Sequence, residues 1–456
     1  MMLANFEARA EGLAPSMAEL YARHLAGLRA RTEAALARCG YDALLIAAGV
    51  EKHAFLDDRP YQFQANPHFK LWAPLSTHPC SWLVLRPGHV PKLVCYQPSD
   101  YWHVPPADPE GFWVEHFELV LIRRPEDALP HLRPPGRLAI IGEADAALGG
   151  CAPNNPKALL DILHYQRAVK SEYELAQLRA AQRRAAPAHL SARAAFRAGA
   201  SERDIHHAYL SASGHTDRDL PYASIVALNE HGAVLHYQLQ DAVPPAVSRA
   251  LLIDAGAEVN GYASDITRSW CGTDERFDAL LAAMECIQLA LVDEVRAGVD
   301  YRDIHLSAHR RVAELLSTQG IVRMSPEALL AQRVTSTFFP HGVGHLLGLQ
   351  VHDVGGFMAD DVGTVLPSLE DHHHLRLART LQPGMVMTIE PGLYFIPMLL
   401  ESLEKMPAGR AVNWGLVRHL ALFGGIRIED DVVCLADGPP ENMTRDAFAM
   451  AESEAD

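Results

Sequence analysis

Residues 251–270 read LLIDAGAEVNGYASDITRSW, and this stretch constrains the fold more than any other. Asn260-Gly261 is a two-residue hairpin signal, because the tight turns that match strand twist need positive φ at both central positions. That register pairs Val259 with Tyr262, and therefore Asp254 with Thr267. Asp265 then lies two residues from direct opposition to Asp254. A register centred on Val259-Asn260 would set the two aspartates directly opposite. Side chains alternate along a strand, so either register puts both carboxylates on one face. Facing carboxylates repel unless a cation lies between them; the plainer reading is that both point to water.

Two more acids sit in apolar segments. In VMTIEPGLY (386–394), Glu390 ends a strand just before Pro391. In GGIRIEDDVVCL (424–435), Ile426 and Ile428 take one face, which leaves Arg427 and Glu429 on the other. A glutamate among apolar neighbours is costly unless paired or metal-bound, although each alone also fits an exposed strand position. A fifth donor comes from HGVGHLLGLQVHD (341–353), with three histidines and three glycines. His341 and His345 could share one metal as an HxxxH pair on a helix, but Gly342 and Gly344 argue against that helix. Asp254, Asp265, Glu390, Glu429 and one histidine are too many for a single tetrahedral zinc. They suit two divalent ions with bridging carboxylates, and oxygen-rich donors favour Mn²⁺ or Co²⁺ over thiolate-seeking metals. Two close ions can lower the pKa of a shared water and polarise a carbonyl, which is hydrolytic chemistry.

At 456 residues the chain suits two or three domains. Lys+Arg minus Asp+Glu is 40 − 56 = −16. So acidic a chain is a poor partner for nucleic acid. No stretch nears the ~20 apolar residues of a membrane span, and MMLANFEARAEGLAPS lacks the apolar run of a signal peptide. Seven cysteines without a CxxC pair argue against a disulfide framework, so the expected compartment is the cytoplasm.

MAELYARHLAGLRARTEAALARCG (17–40) has helical periodicity and ends in glycine. The apolar runs YDALLIAAG, SWLVLRPG, PKLVCYQP and RLAIIGE follow, each bounded by glycine or proline, as strands of an α/β domain. Turn-rich GGCAPNNPKALLD (149–161) marks a boundary, giving an N-terminal α/β domain over 1–160 and a larger domain over 161–456. The second part opens with a long helical pattern that Pro187 should kink or break. Strands are expected in YASIVALNE (222–230), AVLHYQL (233–239) and from Arg249 onward, with helices over 276–298 and 302–318. Strands and helices mix without a repeated βα period, so the class is α+β. DHHHL (371–375) reads as a solvated loop, Arg379 as a surface charge, and the tail MAESEAD as disordered.

The four donor blocks resemble, in order and at suitable distances, the metal-site blocks of the pita-bread metallopeptidases. Within that group the chain is most similar to the prolidase (Xaa-Pro dipeptidase) branch. PYASIVALNEHGAVLHY (221–237), FFPHGVGHLLGLQVHDVGGFMADD (338–361), FLDDRPYQFQANPHFKLW (55–72) and DYWHVPP (100–106) extend the likeness over nearly the whole chain, toward the bacterial prolidases that include organophosphorus acid anhydrolases. The resemblance implies a pita-bread catalytic domain behind the smaller α/β domain, and two divalent ions per chain, Mn²⁺ with Co²⁺ or Zn²⁺ as alternatives. It implies Asp254, Asp265, His345, Glu390 and Glu429 as ligands, and Glu390, His352 and His341 as catalytic groups. It further implies His236 and Arg376 at the substrate carboxylate, with Tyr222, Trp102 and a partner chain's Asp58 completing the pocket, and Thr267 and Arg427 orienting the ligands. The expected substrate is an Xaa-Pro dipeptide and the expected assembly a homodimer, with no nucleic acid or membrane as partner. An aminopeptidase P acting on longer Xaa-Pro peptides and a phosphotriester hydrolase are the alternatives on the same scaffold. A non-catalytic relative would lack the complete ligand set.

Overall fold

The computed structural model describes residues 15–272 and 274–455, and they form two compact units. The reading of the first fourteen residues lies outside the described part. The first unit holds the residues up to Ala73 and Thr77–Pro156; the second holds Pro74–Ser76 and everything from Lys157 onward.

In the first unit, helix Met17–Cys39 starts at a capping box. The Ser16 hydroxyl accepts from the Glu19 N–H, and the Glu19 carboxylate accepts from the Ser16 N–H. Gly40 ends the helix at φ 69°, the left-handed conformation glycine adopts without strain. The four apolar runs become strands β1 (Ala43–Ala47), β2 (Trp82–Leu85), β3 (Lys92–Tyr96) and, last in the chain, β5 (Leu138–Ile141). A fifth strand, β4 (Glu118–Ile122), goes unannounced because it lies at the sheet edge and exposes Glu118 and Leu121. The order is β4-β3-β2-β1-β5, with β1–β5 and β3–β4 parallel and the two remaining pairs antiparallel. Leu45, Trp82, Val94 and Ile122 fill the core on one side.

The second unit opens with helices Lys157–Arg167, Glu172–Arg197 and Glu202–Ser213. Pro187 does not break the second of these. It lies inside a continuous helix, where Ala185, Ala186, Ala188 and His189 are fully buried, so packing on both sides overrides the lost backbone bond. Strands β6 (Ile225–Leu228), β7 (Ala250–Asp254), β8 (Glu258–Val259), β9 (Tyr262–Ala263) and β10 (Thr267–Cys271) follow. They form the sheet β10-β7-β6 and the hairpin tip β8-β9. Helices Glu275–Val292 and Tyr301–Thr318 come next, the former ending six residues before its pattern does because a turn begins at Asp293. Then come β11 (Val386–Ile389), β12 (Gly392–Tyr394), β13 (Gly425–Arg427), β14 (Asp430–Val433) and β15 (Glu441–Asn442). These make a sheet β11-β14-β15 and a pair β12-β13. Bridges Thr267↔Glu429 and Leu346↔Met387 stitch these layers together. Phe277, Leu316, Phe338, Met387, Leu393 and Ile426 belong to the largest core cluster.

Two further expectations fail here. AVLHYQL is not a strand: a short 3₁₀ turn over Asn229–Ala233 leads into irregular chain that exposes Val234, His236 and Leu239. The tail is not disordered as far as Ala455: it completes helix Met443–Ala455, where Phe448 packs on Ala185, Ala257 and Ile266. No helix among the described residues is long and apolar enough to cross a membrane.

Candidate active site

The hairpin adopts the Asn-Gly register. Val259 pairs with Tyr262 and Asp254 with Thr267, and Asn260 and Gly261 take φ of 52° and 87°. Asp254 ends β7, and Asp265 precedes β10 on the same face. Asp265 is fixed from behind, its N–H donating to Asp431 Oδ2 at 2.8 Å. The Thr267 hydroxyl donates to Glu429 Oε2 at 2.6 Å, and the Glu429 N–H returns a bond to the Thr267 carbonyl at 3.1 Å. Arg427 binds three ways: Nε donates to Thr267 Oγ1 (3.0 Å), Nη1 to Tyr394 Oη (3.0 Å) and Nη2 to Asp254 Oδ2 (2.7 Å).

The glycine-rich stretch is not helical and runs beside β11 instead. The Thr388 N–H donates to the His345 carbonyl, and the Glu390 N–H to Val343, so one short ladder places both side chains. Gly344 makes this possible, because a Cβ there would overlap the Thr388 carbonyl and the Tyr301 hydroxyl. His345 Nδ1 lies 3.0 Å from the Leu346 carbonyl, which leaves Nε2 facing Asp265 Oδ2 at 3.4 Å and Glu390 Oε1 at 3.7 Å. His341 lies alongside, with Nδ1 3.6 Å from Glu390 Oε2 and Nε2 2.8 Å from the Tyr394 hydroxyl.

Four carboxylates thus face one guanidinium and two imidazoles. Burial, followed by the charges of Asp265, Glu390 and Asp254, holds Glu429 well above the usual carboxylate range. Burial also raises Asp254 and pushes Glu390 up to about 7. Burial alone would depress His345, but its bond and charge interactions with Asp265, then Glu390, lift it to about 9. Without a metal the cluster would have to hold protons to limit repulsion. Asp254 Oδ1 is buried without a hydrogen-bond partner, and ligand atoms of Asp265, His345 and Glu429 all lie within 4.8 Å of one another. This donor set fits divalent cations, with oxygen donors in the majority.

The cluster opens into a cleft of about 720 Å³ whose lining includes His236, His341, His352 and Arg376 with Asp254, Asp265, His345, Glu390, Arg427 and Glu429. The His352 ring stands edge-on to His345 at 4.3 Å, and burial with the positive charge of His345 and Arg376 lowers it to about 4. Tyr222 is not part of the cleft lining; burial and the charges of Asp254 and Asp265 raise its phenol well above the usual range. Trp102 and Asp58 lie on the surface of the first unit, the indole beside Tyr101 at 5.0 Å.

Three features escaped the sequence reading. Asp431 and Tyr394 hold Asp265, His341 and Arg427 in place. Asp431 shares strand parity with Glu429, the signal that could have found it. Asp353 is buried between Arg167 and Lys170, its Oδ2 2.7 Å from Lys170 Nζ, which anchors the residue after His352. Two further readings change. Arg379 is not a surface charge: it is buried, stacked 3.7 Å from the Tyr165 ring centre. The loop after Glu370 is not simply solvated, because His373 and His374 line the cleft and His372 turns toward His305 and His309.

Comparison with known proteins agrees. The family described as the Xaa-Pro dipeptidase N-terminal domain matches residues 19–165, and metallopeptidase family M24 matches residues 176–436. An Xaa-Pro dipeptidase of Xanthomonas campestris pv. campestris (strain B100) is 53% identical over 437 residues, covering 95% of this chain and 99% of that one. An Xaa-Pro dipeptidase of Stenotrophomonas maltophilia (strain K279a) is 48% identical over 435 residues, covering 95% and 98%. Among solved structures, aminopeptidase PepP of Pseudomonas aeruginosa shares the fold with TM-score 0.69 at 23% identity, covering 96% of this chain and 99% of that one. Zinc-substituted aminopeptidase P of E. coli does so with TM-score 0.68 at 23% identity, covering 97% and 99%. The α+β, pita-bread architecture expected for the catalytic part is the one found.

Proposed function

The chain belongs to metallopeptidase family M24, and from that premise we propose that it is a metallo-dipeptidase that splits Xaa-Pro dipeptides into a free amino acid and proline. One observation carries the reading: buried Asp265, His345 and Glu429, with half-buried Asp254 and Glu390 beside them, open on a cleft whose wall presents Arg376 and His236. The donors Asp254, Asp265, His345, Glu390 and Glu429 hold divalent ions, which, when bound, supply Lewis acidity and an activated water. The proline nitrogen has no N–H and must be protonated as it leaves. Glu390, whose carboxylate lines the cleft, is the group that accepts a proton at the water and returns one to that nitrogen. His352 and His341 face the scissile carbonyl, where a developing negative charge needs donors. The Arg376 fork, with His236, receives the free C-terminal carboxylate that separates a dipeptide from a longer chain. Tyr222, Thr267 and Arg427 orient the metal carboxylates.

We assign Mn²⁺ as the working metal, because four of the five donors are carboxylates. We also assign a cytoplasmic homodimer in which residues 161–456 carry the chemistry. The test is hydrolysis of Xaa-Pro dipeptides by chelated full-length enzyme titrated with Mn²⁺, Co²⁺ or Zn²⁺. Activity should rise with added metal. Inactivity with all three ions, or full activity after chelation, would sink the reading.

A further inference from the structure

Away from the carboxylate centre, a second group of donors converges within the catalytic unit. His305 and His309 are four residues apart on helix Tyr301–Thr318, so they share a face. Their rings are 4.8 Å apart, and the His372 ring packs 4.6 Å from each. Ligand nitrogens of all three lie within 4.8 Å of one another, the nearest pair being His305 Nε2 and His372 Nδ1 at 2.9 Å. That is close to the ~3.3 Å between two nitrogens bound at ~2.0 Å in tetrahedral geometry. His309 Nδ1 lies 3.0 Å from the Thr335 hydroxyl, and donation to that oxygen leaves Nε2 bare and its ring oriented, as outer partners do for metal-binding imidazoles. His305 and His309 are almost fully buried. Burial first, and then the neighbouring imidazoles, keep them uncharged, down to about 2 and about 3, which is the form that ligates. His372 is only partly buried, so the loop side leaves a way in and room for a fourth ligand. The ring of Phe339 packs against His305 and His309 at 6.0 and 5.0 Å and against His341 at 4.9 Å, which puts a buried apolar side chain between the trio and the carboxylate centre.

We propose that His305, His309 and His372 form a separate site for one divalent ion of the zinc class, and that this ion ties the 371–376 loop to helix Tyr301–Thr318. Imidazoles alone suit Zn²⁺, Ni²⁺ or Co²⁺ better than Mn²⁺, whereas the carboxylate centre, rich in oxygen donors, also accommodates Mn²⁺. The tether matters to the cleft, because the loop carries His373, His374 and Arg376 along its wall.

The experiment counts ions. Full-length enzyme is chelated, exposed to Zn²⁺ alone, freed of excess and analysed for metal per chain. His372→Ala and His309→Gln should each hold one ion fewer than the unmutated enzyme. Because the result is a difference, it does not depend on how many ions the carboxylate centre holds. Failure of the dipeptidase reading would show instead as inactivity, or as full metal retention in Asp265→Asn. His372 is partly exposed, so its variant should fold even if His309→Gln does not. Hydrogen exchange gives a second readout: Zn²⁺ should slow exchange at 371–376 in the unmutated enzyme and leave His372→Ala unchanged. Equal ion counts in the unmutated enzyme and His372→Ala would overturn the site.

Discussion

Asp265 has its backbone fixed by Asp431 and its carboxylate facing His345, so little freedom remains to compensate a change. Asp265→Asn keeps the shape and removes the charge. It should lose at least one ion per chain and lower kcat/KM by more than ~100-fold, beyond the ~10–100-fold typical of losing an outer partner. Elemental analysis beside a dipeptide assay decides this; wild-type turnover would refute the two-ion centre. Arg376 makes a separable prediction. If it binds the substrate carboxylate, an Xaa-Pro amide should be the poorer substrate by roughly ten- to a hundred-fold, the worth of one charge-assisted pair. Arg376→Met should cost about as much on the acid and little on the amide, and equal losses would make Arg376 a pocket-shaping residue only. Asp254 and Asp265 were legible because Asn-Gly fixes a register, and register fixes faces. Asp431 was not singled out, although its strand parity with Glu429 was there to be read; nothing local announces that it would fix the Asp265 backbone. His305 and His309 have helical spacing, but no local pattern announces that His372 joins them.

At the scale of elements, the loop bearing His345 and His352 is held at both ends. One end is the ladder to β11; the other is Asp353, paired with Arg167 and Lys170 beside helix Lys157–Arg167. Burial would raise the Asp353 carboxyl, but the two cations outweigh it and bring it down to about 2. A depressed carboxylate stabilises the fold fully above its unfolded pKa of ~3.9. The contribution, roughly 2–3 kcal/mol, should fade as pH falls from about 4 through about 2. Asp353→Asn should therefore lower Tm at pH 7, and the gap between variant and wild type should narrow toward pH 2; a gap independent of pH would contradict the pairing. Removing one partner of a buried pair typically costs about 3–5 kcal/mol, so the variant is best tested with metal present. Element boundaries were legible where caps are strong, as at Ser16 and Gly40. They were misread where tertiary packing decides: Pro187 sits within a helix secured by buried alanines, and AVLHYQL, apolar enough for a strand, lines the cleft as irregular chain.

For the whole molecule, the surface of the first unit makes its own prediction. Phe55, Leu56, Tyr101, Trp102 and Val104 are each more than three-quarters exposed, at 90, 91, 87, 77 and 94%. Solvent is a poor partner for such side chains, and a homodimer would cover them. Sedimentation equilibrium should give a dimer, and Leu56→Asp should weaken it with the secondary structure intact; a monomeric wild type would contradict the homodimer. The five proposed donors also have an order in time. Asp254 leaves the ribosome 429 − 254 = 175 residues before Glu429. At ~5–20 residues per second that is roughly 9–35 s. During this interval the two acids of the hairpin are joined by His345 and then by Glu390, and the set stays incomplete until Glu429 emerges. Metal capture therefore belongs to the close of biosynthesis, and the free-metal pool that selects the ion is the one surrounding the finished chain.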